Sequence, residues 1–155
     1  MQKKTKIIIG IVAAVVLILG SVFGIEALKT AIRDSVPANY YREAWGIAFP
    51  ESAKETYACK TDGRDWWEYC IYTIDVGDDA AFAEYETNAL TPETCERLTE
   101  ILDYVQVLEA QRPDLQKPYP WTRVMQNPPT EYANDNLYVL YDEKTNTVYT
   151  FISHK

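Results

Sequence analysis

The stretch NLYVLYDEKTNTVYTFISHK, residues 136–155, decides the fold, because it contains two runs of strand-forming residues around a polar segment. Residues 137–141 and 148–152 are rich in β-branched and aromatic side chains, which favour strands. The segment DEKTNT between them is typical of a turn. This stretch therefore predicts a β-hairpin.

A second strand pair is predicted earlier in the chain. The segments KETYACK (54–60) and RDWWEYCIYTIDV (64–76) flank the turn sequence TDG (61–63). The second segment is apolar at odd and at even positions alike. This pattern indicates a central strand that is covered on both sides, or a strand with one face against a partner.

Two segments are predicted to be helical. The clearer one is LTPETCERLTEILDYVQVLEAQR (90–112), with Thr91 as N-cap and Pro92 at the first helical position. The other is ANYYREAWGI (38–47), with Asn39 as its cap. The apolar stripe of the longer helix consists of Cys95, Leu98, Ile101, Leu102, Val105 and Leu108.

The regions between these elements carry weaker signals. Residues 77–90 are acidic and fit either a helix or a loop, and residues 113–129 hold five of the eight prolines, which predicts a long extended loop. The predicted fold class is therefore α+β: an antiparallel sheet of about four strands packed with one long helix. This domain is expected to span residues 38–155 and to follow a single N-terminal transmembrane helix.

The N-terminal segment predicts a membrane anchor. Residues 7–25 carry no charge and no proline, and nineteen helical residues nearly span a hydrocarbon core of about 30 Å. The lysines within residues 1–6 predict a cytoplasmic tail, because positive flanks stay inside. Residues 26–37 are expected to form a helical stalk. The predicted location is the cell membrane, single-pass, with the C-terminal domain outside.

Two alternatives remain for this segment. Cleavage after Gly24 as a signal peptide is the first, although the apolar run is longer than such peptides usually have. The second is a buried helix of a soluble protein, although the segment lacks a polar face.

Composition limits the classes of partner. Three of the 15 basic residues lie before residue 26, and all 23 acidic residues lie at or after it. Residues 26–155 therefore carry 12 basic and 23 acidic side chains and a net charge of −11. Nucleic acid is therefore not expected as a partner, because phosphate binding requires a basic face. The negative charge is explained most simply by solubility.

The three cysteines leave their redox state open. Cys59 and Cys70 flank the predicted turn, so a cross-strand disulfide between them is reasonable, and an external location would permit it. Three free buried thiols, or a bridge from Cys95, are the alternatives. A structural zinc site is not expected, because the chain has no CxxC motif or His/Cys cluster.

Three stretches carry a resemblance to known proteins: FPESAKETY, WEYCIYTID and LYVLYDEKTNTVYTF. With these, residues 45–153 resemble small bacterial membrane-anchored or lipid-anchored proteins that have one extracytoplasmic α+β domain. The resemblance implies an architecture and a location, and no catalytic residue is carried over from it.

No residue set in the sequence predicts catalysis, a cofactor or a metal. His154 is the only histidine and stands next to the last residue, so a histidine-dependent mechanism is not expected. Glu68 interrupts an apolar strand and is more simply structural than catalytic. The acidic residues of 75–86 could bind calcium, but they lack the EF-hand spacing and fit a solvated face.

The aromatic residues are the remaining functional signal. These residues are explained most simply as filling the core and its edges, but tyrosine and tryptophan are also enriched at protein interfaces. The sequence therefore predicts a non-catalytic, membrane-tethered interaction module with a protein partner in the envelope. The alternatives are an extracytoplasmic domain that binds a cell-wall sugar or peptide and a carboxylate-based envelope hydrolase. The predicted interaction surface consists of Trp67, Glu68, Tyr119, Trp121 and Arg123.

Overall fold

The C-terminal hairpin lies in the middle of a six-stranded antiparallel sheet. The structure, a computed structural model, describes residues 36–61, 66–125 and 135–153. The strands are β1 (Lys54–Lys60), β2 (Trp67–Thr73), β3 (Thr87–Ala89), β4 (Pro118–Met125), β5 (Asn136–Asp142) and β6 (Thr147–Ser153). Their order across the sheet is β1-β2-β6-β5-β4-β3, so both predicted hairpins are confirmed.

The main core lies on one face of this sheet, beneath helix α2 (Pro92–Tyr104). Tyr69, Phe151 and Tyr138 are paired across β2, β6 and β5, so their side chains form one row on that face. The buried residues that α2 and the following turn pack against this row are Leu98, Ile101, Leu102, Val105 and Val107. Burial of these side chains supplies the main driving force for folding.

The opposite face is covered in part by aromatic residues from outside the sheet. Helix α1 (Pro37–Trp45) places Tyr41 against Tyr72 of β2, and the Tyr41 ring stacks on Phe49 with centroids 4.2 Å apart. Phe82, in a short 3₁₀ turn (Ala80–Phe82), stacks on Tyr141 of β5. Strand β2 is thus buried on both faces, as its sequence predicts.

Helix α2 has a defined start and end. Thr91 is its N-cap and accepts a hydrogen bond from the Thr94 backbone N–H at 3.1 Å, which confirms the predicted cap. The end is a Schellman motif, in which Gln106 N–H donates to Asp103 C=O and Val107 N–H donates to Leu102 C=O. Gln106 adopts a left-handed conformation with φ +58°. The helix therefore ends eight residues before the predicted limit.

Helix α1 begins at Pro37, so Asn39 lies inside it and is not the predicted cap. Proline suits a first helical position, because its missing N–H would be unpaired there in any case. The Asn39 side chain accepts a hydrogen bond from Arg42 instead.

The predicted α+β fold, with about four strands and one long helix, is wrong. Across residues 36–61, 66–125 and 135–153 the sheet has six strands and the helices are two short ones, so the described part of the chain is mainly antiparallel sheet. Strand β4 lies within the predicted proline-rich loop. Its Pro118 and Pro120 are two positions apart, so both missing N–H donors face the same edge of the strand. The other edge keeps its donors, and this arrangement makes a strand possible despite the prolines. Strand β3 is only three residues long.

The prediction of a single-pass membrane protein is also corrected. Within residues 36–61, 66–125 and 135–153, no helix combines the length and apolar character that crossing a bilayer requires. Residues 7–25 themselves lie outside the described residues. The predicted membrane localisation and the external location of the domain are therefore unsupported.

Candidate functional site

An open cleft of about 710 Å³ lies between helix α2 and strands β4 and β5. Its residues come from the outward side of α2 and from the same sheet face that carries the core. The lining residues are Glu93, Thr94, Glu96, Arg97, Glu100, Arg123, Asn136 and Tyr138. The volume falls within the range of about 300–1,000 Å³ that is usual for ligand sites.

The helix wall of the cleft is a charged stripe. Glu93, Glu96, Arg97 and Glu100 are spaced at i, i+3, i+4 and i+7, which places them on one side of α2. Arg97 pairs with Glu100, and its guanidinium lies 4.6 Å from the centroid of the Trp67 ring. Arg97 is thus held in place by two contacts, whereas Glu93 and Glu96 form no ion pair within the described residues.

The sheet wall is centred on Arg123. Its Nε and Nη2 atoms donate to Asn136 Oδ1 at 3.0 and 2.8 Å, and its guanidinium lies 5.5 Å from the centroid of the Tyr138 ring. The amide and the ring are both uncharged, so in the described part of the chain no carboxylate neutralises Arg123. The two contacts orient the guanidinium and leave N–H donors for a further partner.

Within the described residues, the cleft therefore presents an oriented cation on one wall and, on the other, two carboxylates that have no ion-pair partner. A guanidinium recognises a carboxylate through paired hydrogen bonds, and carboxylates recognise ammonium or guanidinium groups. The arrangement suits a ligand that carries both charges. Complementary charge would fix the register and the orientation of such a ligand in the cleft.

The structure separates the residues of the predicted interaction surface. Of these, only Arg123 lines the cleft. Tyr119 is 2% exposed and its hydroxyl donates to Asp114 C=O, while Trp121 is half-buried against the core. Trp67 is 6% exposed, with Arg97 and Tyr104 packed against its ring. Their main contribution is to packing.

Glu68 is placed on the opposite face of the sheet, away from the cleft. It precedes Tyr69 on β2, and successive strand residues point to opposite faces. Glu68 accepts a hydrogen bond from the Cys70 thiol at 3.2 Å. Burial, and then the Glu68 charge, raise the pKa of Cys70, which makes this thiol a poor nucleophile.

The predicted disulfide partners do not face each other. Cys59 is paired with Tyr69, and Ala58 with Cys70, so the two cysteine side chains project from opposite faces of the sheet. Cys59, Cys70 and Cys95 are all free thiols in the structure. A bridge between Cys59 and Cys70 would require a shift of the strand register, since a disulfide needs its two Cβ atoms close together.

The acidic segment considered for calcium uses one of its carboxylates within the fold. Asp78 accepts hydrogen bonds from Ser52 N–H at 3.0 Å and from Ser52 O–H at 2.5 Å. These bonds lower the pKa of Asp78. Among the described residues, no group of three metal-ligating side chains is arranged around a common point.

His154 and residues 62 and 63 of the predicted TDG turn lie outside the described residues.

The predicted interaction surface omits most of the cleft. The signal for it in the sequence is the charged stripe of α2, formed by Glu93, Glu96, Arg97 and Glu100, which lies beside the apolar stripe that predicts the helix. Asn136 and Tyr138 could not be assigned without the register between β4 and β5, which brings them next to Arg123.

Compared with known protein families, with curated proteins and with solved structures, the chain matches none of them.

Proposed function

We propose that this protein is a non-catalytic interaction module that binds a segment of a partner protein in the cleft between α2 and β4–β5. The observation that carries the proposal is the placement of charge. In the part of the chain that the structure describes, Arg123 is oriented by Asn136 and Tyr138 and has no neutralising carboxylate, and Glu93 and Glu96 on the facing wall have no ion-pair partner. Both signs of charge are thus available to a partner.

The acidic character of the chain supports a protein partner over a nucleic acid. The formal net charge is −8, and the helix wall of the cleft itself carries more acidic than basic groups. A phosphate backbone would meet repulsion there. A polypeptide can carry both an acidic and a basic side chain, as the two walls require.

Site-specific crosslinking in the cells that make the protein tests this function. A photoreactive phenylalanine analogue replaces Glu96, which lies in the cleft, or Val76, which is 88% exposed and follows β2. We expect a discrete crosslinked protein from position 96 and not from position 76. Combining the position-96 probe with Arg123→Ala is expected to remove that product.

Two results would count against the interaction module. One is the same set of products from both probe positions, which indicates non-specific encounters. The other is a position-96 product that survives Arg123→Ala unchanged, because the oriented cation would then have no part in binding.

A small zwitterionic ligand is the second candidate, and the cleft volume of about 710 Å³ favours it. Sugar stacking has less support, because Trp67 is covered by Arg97 and Tyr104. Thermal unfolding in the presence of glutamate–lysine dipeptides tests this candidate. A rise in the unfolding temperature that Arg123→Ala abolishes would favour it, and no rise at millimolar concentration would exclude these dipeptides as ligands.

A further inference from the structure

Strand β4 has an open edge next to the cleft. Its partner on that side, β3, pairs only with residues 118–120, although β4 continues to Met125. No described strand pairs with the outer edge of residues 121–125. Because alternate residues of a strand direct their N–H and C=O groups to opposite edges, part of this stretch presents unpaired backbone groups.

The other edge of the sheet is protected against strand addition. Strand β1 carries Lys54 and Lys60 at its ends and has an irregular register between Glu55 and Tyr57. Lysines and bulges are features that block edge pairing. The open part of β4 has no proline, one charged residue and the exposed side chain of Met125, at 63% exposure. Of the two edges of the described sheet, the open part of β4 is therefore the one suited to accept a strand.

We infer that the partner segment binds by adding an extended strand to residues 121–125 of β4, with an acidic side chain opposite Arg123 and a basic side chain two residues away along the segment. The inference rests on the proposed function and specifies its ligand. Main-chain hydrogen bonds to β4 would supply affinity, and contacts of every second side chain with the cleft would supply specificity.

The charges of the cleft determine the side-chain pattern. An added strand places every second side chain on the face that carries Arg123. An acidic side chain directly opposite Arg123 makes a charge-assisted pair. The neighbouring position on the same face requires a long basic side chain, which can extend along the cleft towards Glu93 and Glu96 on α2.

Selection from a phage-displayed library of random linear peptides on the full-length protein tests the inference. Peptides retained by the wild type and lost on Arg123→Ala are synthesised, and their affinities are measured by fluorescence polarisation. We expect an acidic and a basic residue two positions apart in these peptides. Arg123→Ala is expected to weaken their binding by about tenfold or more. Arg42→Ala, at an exposed arginine of α1, is the matched control and is expected to leave affinity unchanged.

Backbone methylation separates strand addition from other modes of binding. The selected peptide is made in two series, with N-methyl groups at its odd or at its even positions. An added strand bonds to β4 along one edge only, so one series is expected to lose about tenfold or more in affinity while the other retains binding. Loss in both series, or in neither, overturns strand addition and leaves the interaction module standing. Failure to select any Arg123-dependent peptide overturns the interaction module itself.

Discussion

Gln106 is the residue whose backbone conformation fits its side chain least well. Its φ of +58° closes the Schellman motif at the end of α2, a position that glycine usually occupies. Side chains with a Cβ atom are disfavoured in this left-handed region. The motif forms because it satisfies two helix carbonyls and brings Val107 into the core.

We expect Gln106→Gly to stabilise the protein by about 0.5–1 kcal/mol, since relief of the left-handed strain exceeds the entropy cost of glycine. Urea unfolding of the two proteins measures the difference. Asn146→Gly is the comparison. Asn146 also has a positive φ, at +49°, but asparagine tolerates this region and its side chain accepts a hydrogen bond from the Tyr141 hydroxyl, so no gain in stability is expected there. An effect at Asn146 as large as that at Gln106 would contradict the explanation.

Asp78 predicts a defined dependence of stability on pH. Its hydrogen bonds from Ser52 lower the pKa below the ordinary value of 3.8. The folded protein therefore releases this proton more readily than the unfolded chain. The stabilisation is complete above the unfolded pKa and is lost as pH falls through the lower folded pKa.

The unfolding temperatures of wild type and Asp78→Asn, measured from pH 7 down to pH 2, check this expectation. The wild type is expected to be the more stable above about pH 4, with the difference shrinking at lower pH. Asp79→Asn is the control, because the neighbouring Asp79 precedes the 3₁₀ turn and its side chain makes no capping hydrogen bond there. A wild-type advantage that grew as pH fell would have the wrong sign.

Helix α2 depends on its N-cap. The Thr91 hydroxyl accepts from Thr94 N–H and donates to Thr94 Oγ1 at 2.9 Å, and Thr94 is buried. We expect Thr91→Ala to destabilise the protein by about 1 kcal/mol, as measured by denaturant unfolding. Thr91→Ser keeps the hydroxyl and is expected to restore most of the loss. Equal losses in the two variants would show that the methyl group matters and the cap does not.

The elements that could be predicted are those in which the local sequence alone indicates the type of structure and where it begins. Helix α2 has a cap, a proline and an apolar stripe, and β5 and β6 have apolar runs on either side of a polar turn. All three residues of strand β3 are exposed, and none of them packs in the core. Its sequence therefore looks like that of a loop. Strand β4 is stabilised by its neighbours on both sides, and that tertiary effect outweighs its prolines.

The candidate site depends on the whole molecule and could be predicted only in part. The sequence predicts Arg123 from its place in an aromatic segment, but the residues that orient it come from β5 and the charges that face it come from α2. These three elements are distant in the chain and meet because β4 pairs with β5 on the sheet face that also carries α2. Pair contacts across such distances have no local signature in a single sequence.

The stability of the whole sheet is expected to be most sensitive at its centre. Phe151 on β6 is fully buried, paired with Tyr69 on one side and Tyr138 on the other. We expect Phe151→Ala to cost about 3–5 kcal/mol, a large part of the stability of a typical domain. Denaturant unfolding gives the value. Val76→Ala is the control, since that side chain is exposed and is expected to change little. A loss below 1 kcal/mol would contradict the central role of Phe151.

The position of β6 has a consequence for how the protein is made. Of the described strands it is the last to be synthesised, yet it lies between β2 and β5. During translation, β1 and β2 leave the ribosome first. The edge of β2 that pairs with β6 has no partner until Ser153 has emerged. The nascent chain therefore carries an exposed, aromatic strand edge until β6 has been synthesised, and unpaired edges of this kind favour misassembly.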